Sequence, residues 1–126
     1  MTTIINTPNA PAPIGPYSQA VEAGNLIFVS GQIPMDPLTG QLVMDDIKTE
    51  TKQVMENIKA ILLEAGVDFG NIVKTSIFLT DMQNFAQVNE VYGTYFTGNF
   101  PARETVQVAG LPKGVNVEIT VTAFKV

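Results

Sequence analysis

A chain of 126 residues is one ordinary domain, here taken as residues 1–126, and at that size about two-thirds of the unfolded surface is buried on folding, enough for a self-supporting core. Seven Lys and Arg against twelve Asp and Glu give a net charge of −5, which argues against a nucleic-acid binder that grips phosphates by counterion release. With no Cys and no His, the chain has no thiolate nucleophile, no Ser-His-Asp triad and no Cys or His ligands for zinc, haem or iron–sulfur, so chemistry falls to Asp, Glu, Arg, Lys, Tyr, Ser, Thr and the backbone.

Met1 to Asn6 has neither a basic leader nor an apolar stretch of signal-peptide length, and no later run reaches membrane-spanning length. The expectation is a soluble, cytoplasmic protein with no membrane partner. Asn6 to Pro16, rich in Pro and Ala, reads as an arm rather than a helix. Ser18–Ala23 and Leu26–Ser30 flank Gly24-Asn25, a two-residue link that predicts a hairpin. A long loop runs from Gly31 to about Met44, punctuated by Pro34, Pro37 and Gly40, and long loops in small domains are often functional.

From Asp45 or Asp46, a plausible N-cap, Ile47, Val54, Ile58, Ile61, Leu62 and Ala65 recur at helical spacing until Gly66. Ile72 to Leu79 alternates as a strand. A second helix is expected from Asp81 or Asn84 to Gly98, with Phe85, Val88, Val91, Tyr92, Tyr95 and Phe96 as a packing stripe rather than a binding box. Two final strands, Arg103–Ala109 and Val115–Phe124, are joined by Gly110-Leu111-Pro112-Lys113-Gly114. This order predicts an α+β fold, a sheet with both helices on one face.

Arg103 is the only arginine, beside six lysines. Its rigid fork of donors fits a carboxylate bidentately, so a single use invites a functional reading, against the alternative of a surface ion pair. Period-two alternation puts Arg103, Thr105 and Gln107 on one face of their strand and Asn116, Glu118, Thr120 and Thr122 on one face of the last. Antiparallel pairing of these two strands, valines facing valines, would bring Arg103, Thr105 and Glu118 together on a polar face opposite the helices. That face, rich in Thr, Gln and Asn, suits burial against another subunit.

The string Phe100-Pro101-Ala102-Arg103-Glu104-Thr105-Val106, followed by Gly110-Leu111-Pro112-Lys113-Gly114 and Val117-Glu118-Ile119, resembles the C-terminal signature of the Rid (YjgF-type) family, the RidA proteins. Ala12-Pro13-Ile14-Gly15-Pro16-Tyr17-Ser18-Gln19, Val29-Ser30-Gly31-Gln32-Ile33-Pro34, Asn57-Ile58-Lys59, Val73-Lys74-Thr75 and Phe85-Ala86-Gln87-Val88-Asn89 extend the resemblance over essentially the whole chain. Many relatives have Cys where Thr105 stands and a small residue at Glu104.

The resemblance implies a chorismate-mutase-like fold, a mixed β-sheet with two helices, forming a homotrimer with ligand sites between subunits. It implies hydrolysis of enamine and imine intermediates, 2-aminoacrylate/2-iminopropanoate and 2-iminobutanoate, released by pyridoxal-phosphate enzymes, to 2-keto acids and ammonia. Arg103 would hold the substrate carboxylate, Glu118 would position or polarise water, and Tyr17, Ser30, Gly31, Asn89 and Thr105 would line the cleft. Such an imine is electrophilic once protonated, so one Arg and one Glu suffice and no metal or cofactor is expected. The competing reading is a non-catalytic module that binds 2-keto acids or a protein partner. RNA cleavage fits poorly with the acidic balance and the lack of histidine.

Overall fold

Six strands, β1 (Thr2–Ile5), β2 (Ala20–Ala23), β3 (Leu26–Gln32), β4 (Ile72–Leu79), β5 (Ala102–Gln107) and β6 (Val117–Phe124), build one sheet in a computed structural model that describes residues 2–126. Their order is β1-β2-β3-β6-β4-β5, and helices α1 (Ile47–Glu64) and α2 (Phe85–Gly93) cover one face. The Asp46 carboxylate accepts the Thr49 N–H at 2.8 Å and caps α1, satisfying one of the orphan donors of the first turn. Gly66, at φ +81°, ends the helical run in a conformation that favours glycine. Val54, Met55, Ile58, Ile61 and Leu62 of α1 pack on the inward residues Ile27, Val29, Ile77, Leu79, Val117, Ile119 and Val121 of the sheet. Among the described residues no helix is long and apolar enough to cross a membrane.

The α+β class, the hairpin, α1 and β4 match the sequence pattern, whereas the pairing of the last strands does not. β4 lies between β5 and β6, parallel to β5 and antiparallel to β6. The cause is α2: it carries the chain from β4 across the sheet face to β5, and such a crossover delivers a strand parallel to its predecessor. In register, Arg103 stands beside Thr75 and Thr105 beside Ile77, both buried toward the helices, while Glu118 stands beside Phe78 on the other face. Arg103 and Thr105 therefore lie on the helix side and Glu118 on the open side, correcting the expectation that one chain brings them together.

The open face differs accordingly. Thr120 and Thr122 lie on it, but Thr105 does not, the Gln107 side chain accepts the Met82 N–H at 2.8 Å, and the Asn116 amide turns to Glu50 of α1. It carries an apolar set, Ile4, Val21, Phe28, Phe78 and Val106, with Phe28 still 46% exposed, and beside it Ser76 and the ion pair of Lys74 with Glu104 at 2.9 Å. A contiguous apolar and threonine-bearing sheet face of this kind marks an interaction surface.

Two further elements depart from the pattern. α2 ends at Gly93, not at Gly98, because Thr94 leaves the helix with its hydroxyl donating to the Val91 carbonyl at 2.6 Å. Tyr95 and Phe96 follow in a turn and pack on Phe69 at centroid distances of 5.1 and 5.7 Å. β1 is an additional edge strand, too short to show a period, with only Ile5 buried.

The Asn6–Pro16 arm is non-helical and is tied down by one buried residue. Gln19 accepts the Thr7 N–H at 2.7 Å and donates to the carbonyls of Thr7, Ala10 and Pro11 at 3.0, 3.2 and 2.9 Å. Gln19→Ala leaves these groups without their partner, and a buried unsatisfied group costs about 1–3 kcal/mol. The expected outcome is a loss of at least about 1 kcal/mol in urea unfolding, with proteolysis newly concentrated between residues 6 and 16.

Candidate active site

Where β3 meets β6, the ladder slips between Val29 and Gln32, and this bulge opens the sheet at Ser30 and Gly31. The Ser30 hydroxyl donates to the Ser18 carbonyl at 2.6 Å, and its N–H donates to the Gln19 carbonyl at 2.9 Å, closing the bulge onto the arm. Gly31 faces the Glu118 carboxylate so closely that a Cβ there would stand 2.8 Å from Oε2. Ile14, Tyr17, Ser30, Gly31, Ile33, Pro112 and Glu118 line one cleft of about 280 Å³. Tyr17 is 46% exposed, and its hydroxyl accepts the Ile14 N–H at 3.2 Å, folding the arm over the cleft. Glu118 is half-buried, with neither a hydrogen-bond donor nor a cation against its carboxylate among the described residues. Burial alone holds its carboxyl above the ordinary carboxylate range.

On the helix side, Arg103 is also half-buried and has no carboxylate partner among the described residues. Its Nη1 donates to Asn89 Oδ1 at 2.7 Å, and its guanidinium carbon lies 5.2 Å from the Tyr92 ring centroid and 5.7 Å from that of Phe85. Phe85, Asn89 and Tyr92 are spaced i, i+4, i+7 on α2, so one helix stripe engages the cation with two π faces and an amide oxygen. Tyr92 is anchored in turn, its hydroxyl donating to Thr75 Oγ1 at 3.0 Å. Asn89 takes one donor of a fork that carries five. Next on the same face of β5, the Thr105 hydroxyl oxygen is buried without any hydrogen-bond partner, a state that polar groups seldom occupy unless a ligand or another chain completes them.

The expected residues thus form two groups. Tyr17, Ser30, Gly31 and Glu118 share the cleft on the open side, while Asn89, Arg103 and Thr105 belong to the helix side. Sequence reasoning did not assign Phe85 and Tyr92 to the arginine. Tyr92 is buried as a packing residue should be, yet Phe85 remains 37% exposed beside the cation, and its i, i+4 spacing to Asn89 was the available signal. A larger depression of about 660 Å³ between Asp68–Gly70 and Tyr95–Asn99 contains none of the expected residues, and it offers no pair of opposite charges. Among the described residues no three acidic side chains converge to hold a metal ion.

Two groups of this kind do distinct chemistry. An open arginine fork receives a carboxylate, and a carboxyl raised by burial exchanges protons with water more readily near neutral pH than an ordinary one.

Because the folded-state carboxyl of Glu118 titrates above its ordinary 4.5, its favourable contribution is complete below the unfolded value and is lost as pH rises through the folded one. Glu118→Gln does not titrate. It is expected to equal or exceed the wild type in stability at pH 7, with the difference vanishing below about pH 4, as read by urea unfolding across pH. Gly31→Ala is expected to fold and yet displace the carboxylate, seen as a shifted Glu118 carboxyl resonance.

Comparison with known proteins identifies the family. The family model described as Endoribonuclease L-PSP matches residues 7–125. The Mus musculus 2-iminobutanoate/2-iminopropanoate deaminase is 52% identical over 122 residues, covering 97% of this chain and 90% of the mouse protein. Among solved structures, the conserved Rid protein family member YyfA of Yersinia pestis superposes with a TM-score of 0.96 at 52% identity, covering 98% of this chain and 99% of its own. Escherichia coli TdcF with bound serine superposes at 0.95 with 43% identity, covering 98% and 99%. By motif order, fold and the match along nearly its whole length, the chain is a member of the Rid family.

Proposed function

We propose that this chain is a Rid-family deaminase that hydrolyses small 2-imino acids, including the imine forms of enamines such as 2-aminoacrylate, to 2-keto acids and ammonia. The active form is a homotrimer in which each site joins Arg103 of one copy to Glu118 of another. One observation carries the reading: two half-buried, oppositely charged side chains, each without a countercharge, stand on opposite faces of one sheet. A second copy, with a small zwitterionic or anionic ligand between, completes both. The apolar open face supplies the surface that such an assembly covers. The deaminase names of mammalian relatives and the serine in the related TdcF structure support a ligand of amino-acid size.

The chemistry follows from the two groups. Arg103, held by Asn89 and the two rings, receives the substrate carboxylate and orients the adjacent C=N bond. Water adds to the protonated imine carbon as Glu118 takes a proton from it, giving a carbinolamine. Glu118 then returns the proton to nitrogen and takes the hydroxyl proton as the C–N bond breaks and the C=O bond forms, so that ammonia and the 2-keto acid leave. Once protonated, the imine carbon is electrophilic without further activation, so orientation and one proton-exchanging carboxyl account for the reaction. Imines of this class arise from pyridoxal-phosphate enzymes acting on serine or threonine, which makes such enzymes functional partners in the cytoplasm. A module that only bound 2-keto acids would need the arginine but not an unpaired, half-buried Glu118, and this favours the enzyme.

Coupling the protein to a serine or threonine dehydratase and trapping the imine with semicarbazide measures the activity. Catalytic amounts are expected to accelerate imine loss; no acceleration with any imine favours the binding module. Arg103→Lys, which loses at least one charge-assisted bond, should reduce kcat/KM at least about tenfold. Glu118→Gln should reduce kcat by roughly 10² or more while keto-acid affinity holds. Light scattering should report three times the chain mass. Mixing Arg103→Ala with Glu118→Gln chains under exchange should restore activity at about a quarter of the sites, those receiving both intact residues. A mixture that stays inactive places both residues on one copy and overturns the shared site.

A further inference from the structure

Outside both groups lies a carboxylate the reaction does not use. Glu50, in the first turns of α1, is 1% exposed and has no cation beside it among the described residues. A buried charge without a countercharge persists only where hydrogen bonds and local fields satisfy it. Here both oxygens grip one residue: Oε2 accepts the Asn116 N–H at 2.7 Å and Oε1 accepts the Asn116 amide Nδ2 at 3.0 Å. The positive end of α1 adds to the stabilisation. From the other side, Thr80 at the end of β4 donates its N–H to the Asn116 carbonyl at 3.2 Å and its hydroxyl to Oδ1 at 3.4 Å. Every polar atom of Asn116 is therefore engaged.

The place of this clamp in the chain gives it meaning. Asn116 stands between Pro112 and Glu118, which line the same cleft. Upstream is a turn with Lys113 at φ 57° and Gly114 at φ 71°, an irregular segment with no ladder of its own to fix it. The entry point of the chain into β6 is what sets the gap between the Pro112 wall and the Glu118 carboxylate.

We propose that Glu50 is a positioning residue which, through Asn116, fixes the spacing of Pro112 and Glu118 and so limits the length of side chain the cleft accepts. This rests on the proposed function, in which Arg103 takes the carboxylate and Glu118 faces the imine carbon, so that the substrate side chain falls in the cleft that Glu118 lines. It deepens that reading by placing the determinant of side-chain length outside the cleft, on α1. Glutamine in place of Glu50 has the same size but a single acceptor oxygen. It satisfies one of the two Asn116 donors and turns its own NH₂ on the other.

The test measures calorimetric affinities for pyruvate, 2-oxobutanoate and 2-oxopentanoate, and turnover of the matching imines, in wild-type and Glu50→Gln trimers. Wild type is expected to discriminate by side-chain length. Glu50→Gln should compress that discrimination at least about threefold, while pyruvate affinity, dominated by its carboxylate on Arg103, changes less than about twofold. Unchanged discrimination with a lowered Tm makes Glu50 a scaffold residue only and overturns the proposal, as does a wild type indifferent to length. If Glu50→Gln fails to fold, Asn116→Ala removes the Nδ2 arm together with the Oδ1 acceptor of the Thr80 hydroxyl and keeps the backbone bond to Glu50. It must give the same compression, and unchanged discrimination there overturns the proposal equally. A wild type that binds the keto acids but turns over no imine defeats the enzymatic reading alone, because the binding series still tests the clamp. A wild type that binds none of the three defeats both.

Discussion

The seating of β4 between β5 and β6 is the constraint on which the rest of this molecule depends. Side chains along a strand alternate strictly, so a single register decides which face each residue occupies. With Thr75 opposite Arg103 and Phe78 opposite Glu118, the cation is committed to the helix layer and the carboxylate to the bare side of the sheet. A one-residue slip of β5 along β4 would put Glu104 in the place of Arg103, and a like slip of β6 along β4 would turn Glu118 toward the helices. The buried Val117, Ile119 and Val121 of β6 make the second slip costly because each would be driven to the open face.

The half-sites are kept unsatisfied at some expense to the isolated chain, and the framework around them is built to tolerate it. Three buried polar residues, each with several hydrogen bonds, pin the three irregular segments that wall the cleft. Gln19 holds the arm that carries Ile14 and Tyr17. Asn57, on α1, donates to the carbonyls of Ile33 and Met35 at 3.1 and 3.0 Å and fixes the loop after β3. Glu50 holds the entry to β6. Loops that would otherwise sample many shapes are thereby attached to the most rigid elements, which is what a preorganised site requires.

How much of this was legible in the sequence follows from which interactions are local. The 3.6-residue period and the Asp46 cap reveal α1, and strict alternation reveals β4, because both signals lie within one segment. Thr2–Ile5 carries too few residues to show a period. The partner of β5 is set by a crossover, a feature of topology, while adjacency in the chain suggested a hairpin. The position of α2 was legible but its end was not, since Thr94 stops it with a side-chain bond that competes with a continuing apolar stripe. Of the site, the individual residues could be read from their motifs and the geometry between them could not. Phe85 and Tyr92 illustrate the limit: an aromatic on a helix stripe looks the same in sequence whether it meets a leucine or a guanidinium.

Thr105 carries a consequence of a different kind. Its buried hydroxyl, two residues from Arg103, occupies a place where a thiol would be exposed to whatever enters from the arginine side. Unsaturated amino acids of the dehydroalanine type are Michael acceptors that alkylate thiolates, and peroxides oxidise them. A chain with no cysteine has no thiolate there for such an electrophile to capture. With threonine at this position, neither alkylation nor oxidation of a thiol can switch the arginine side off.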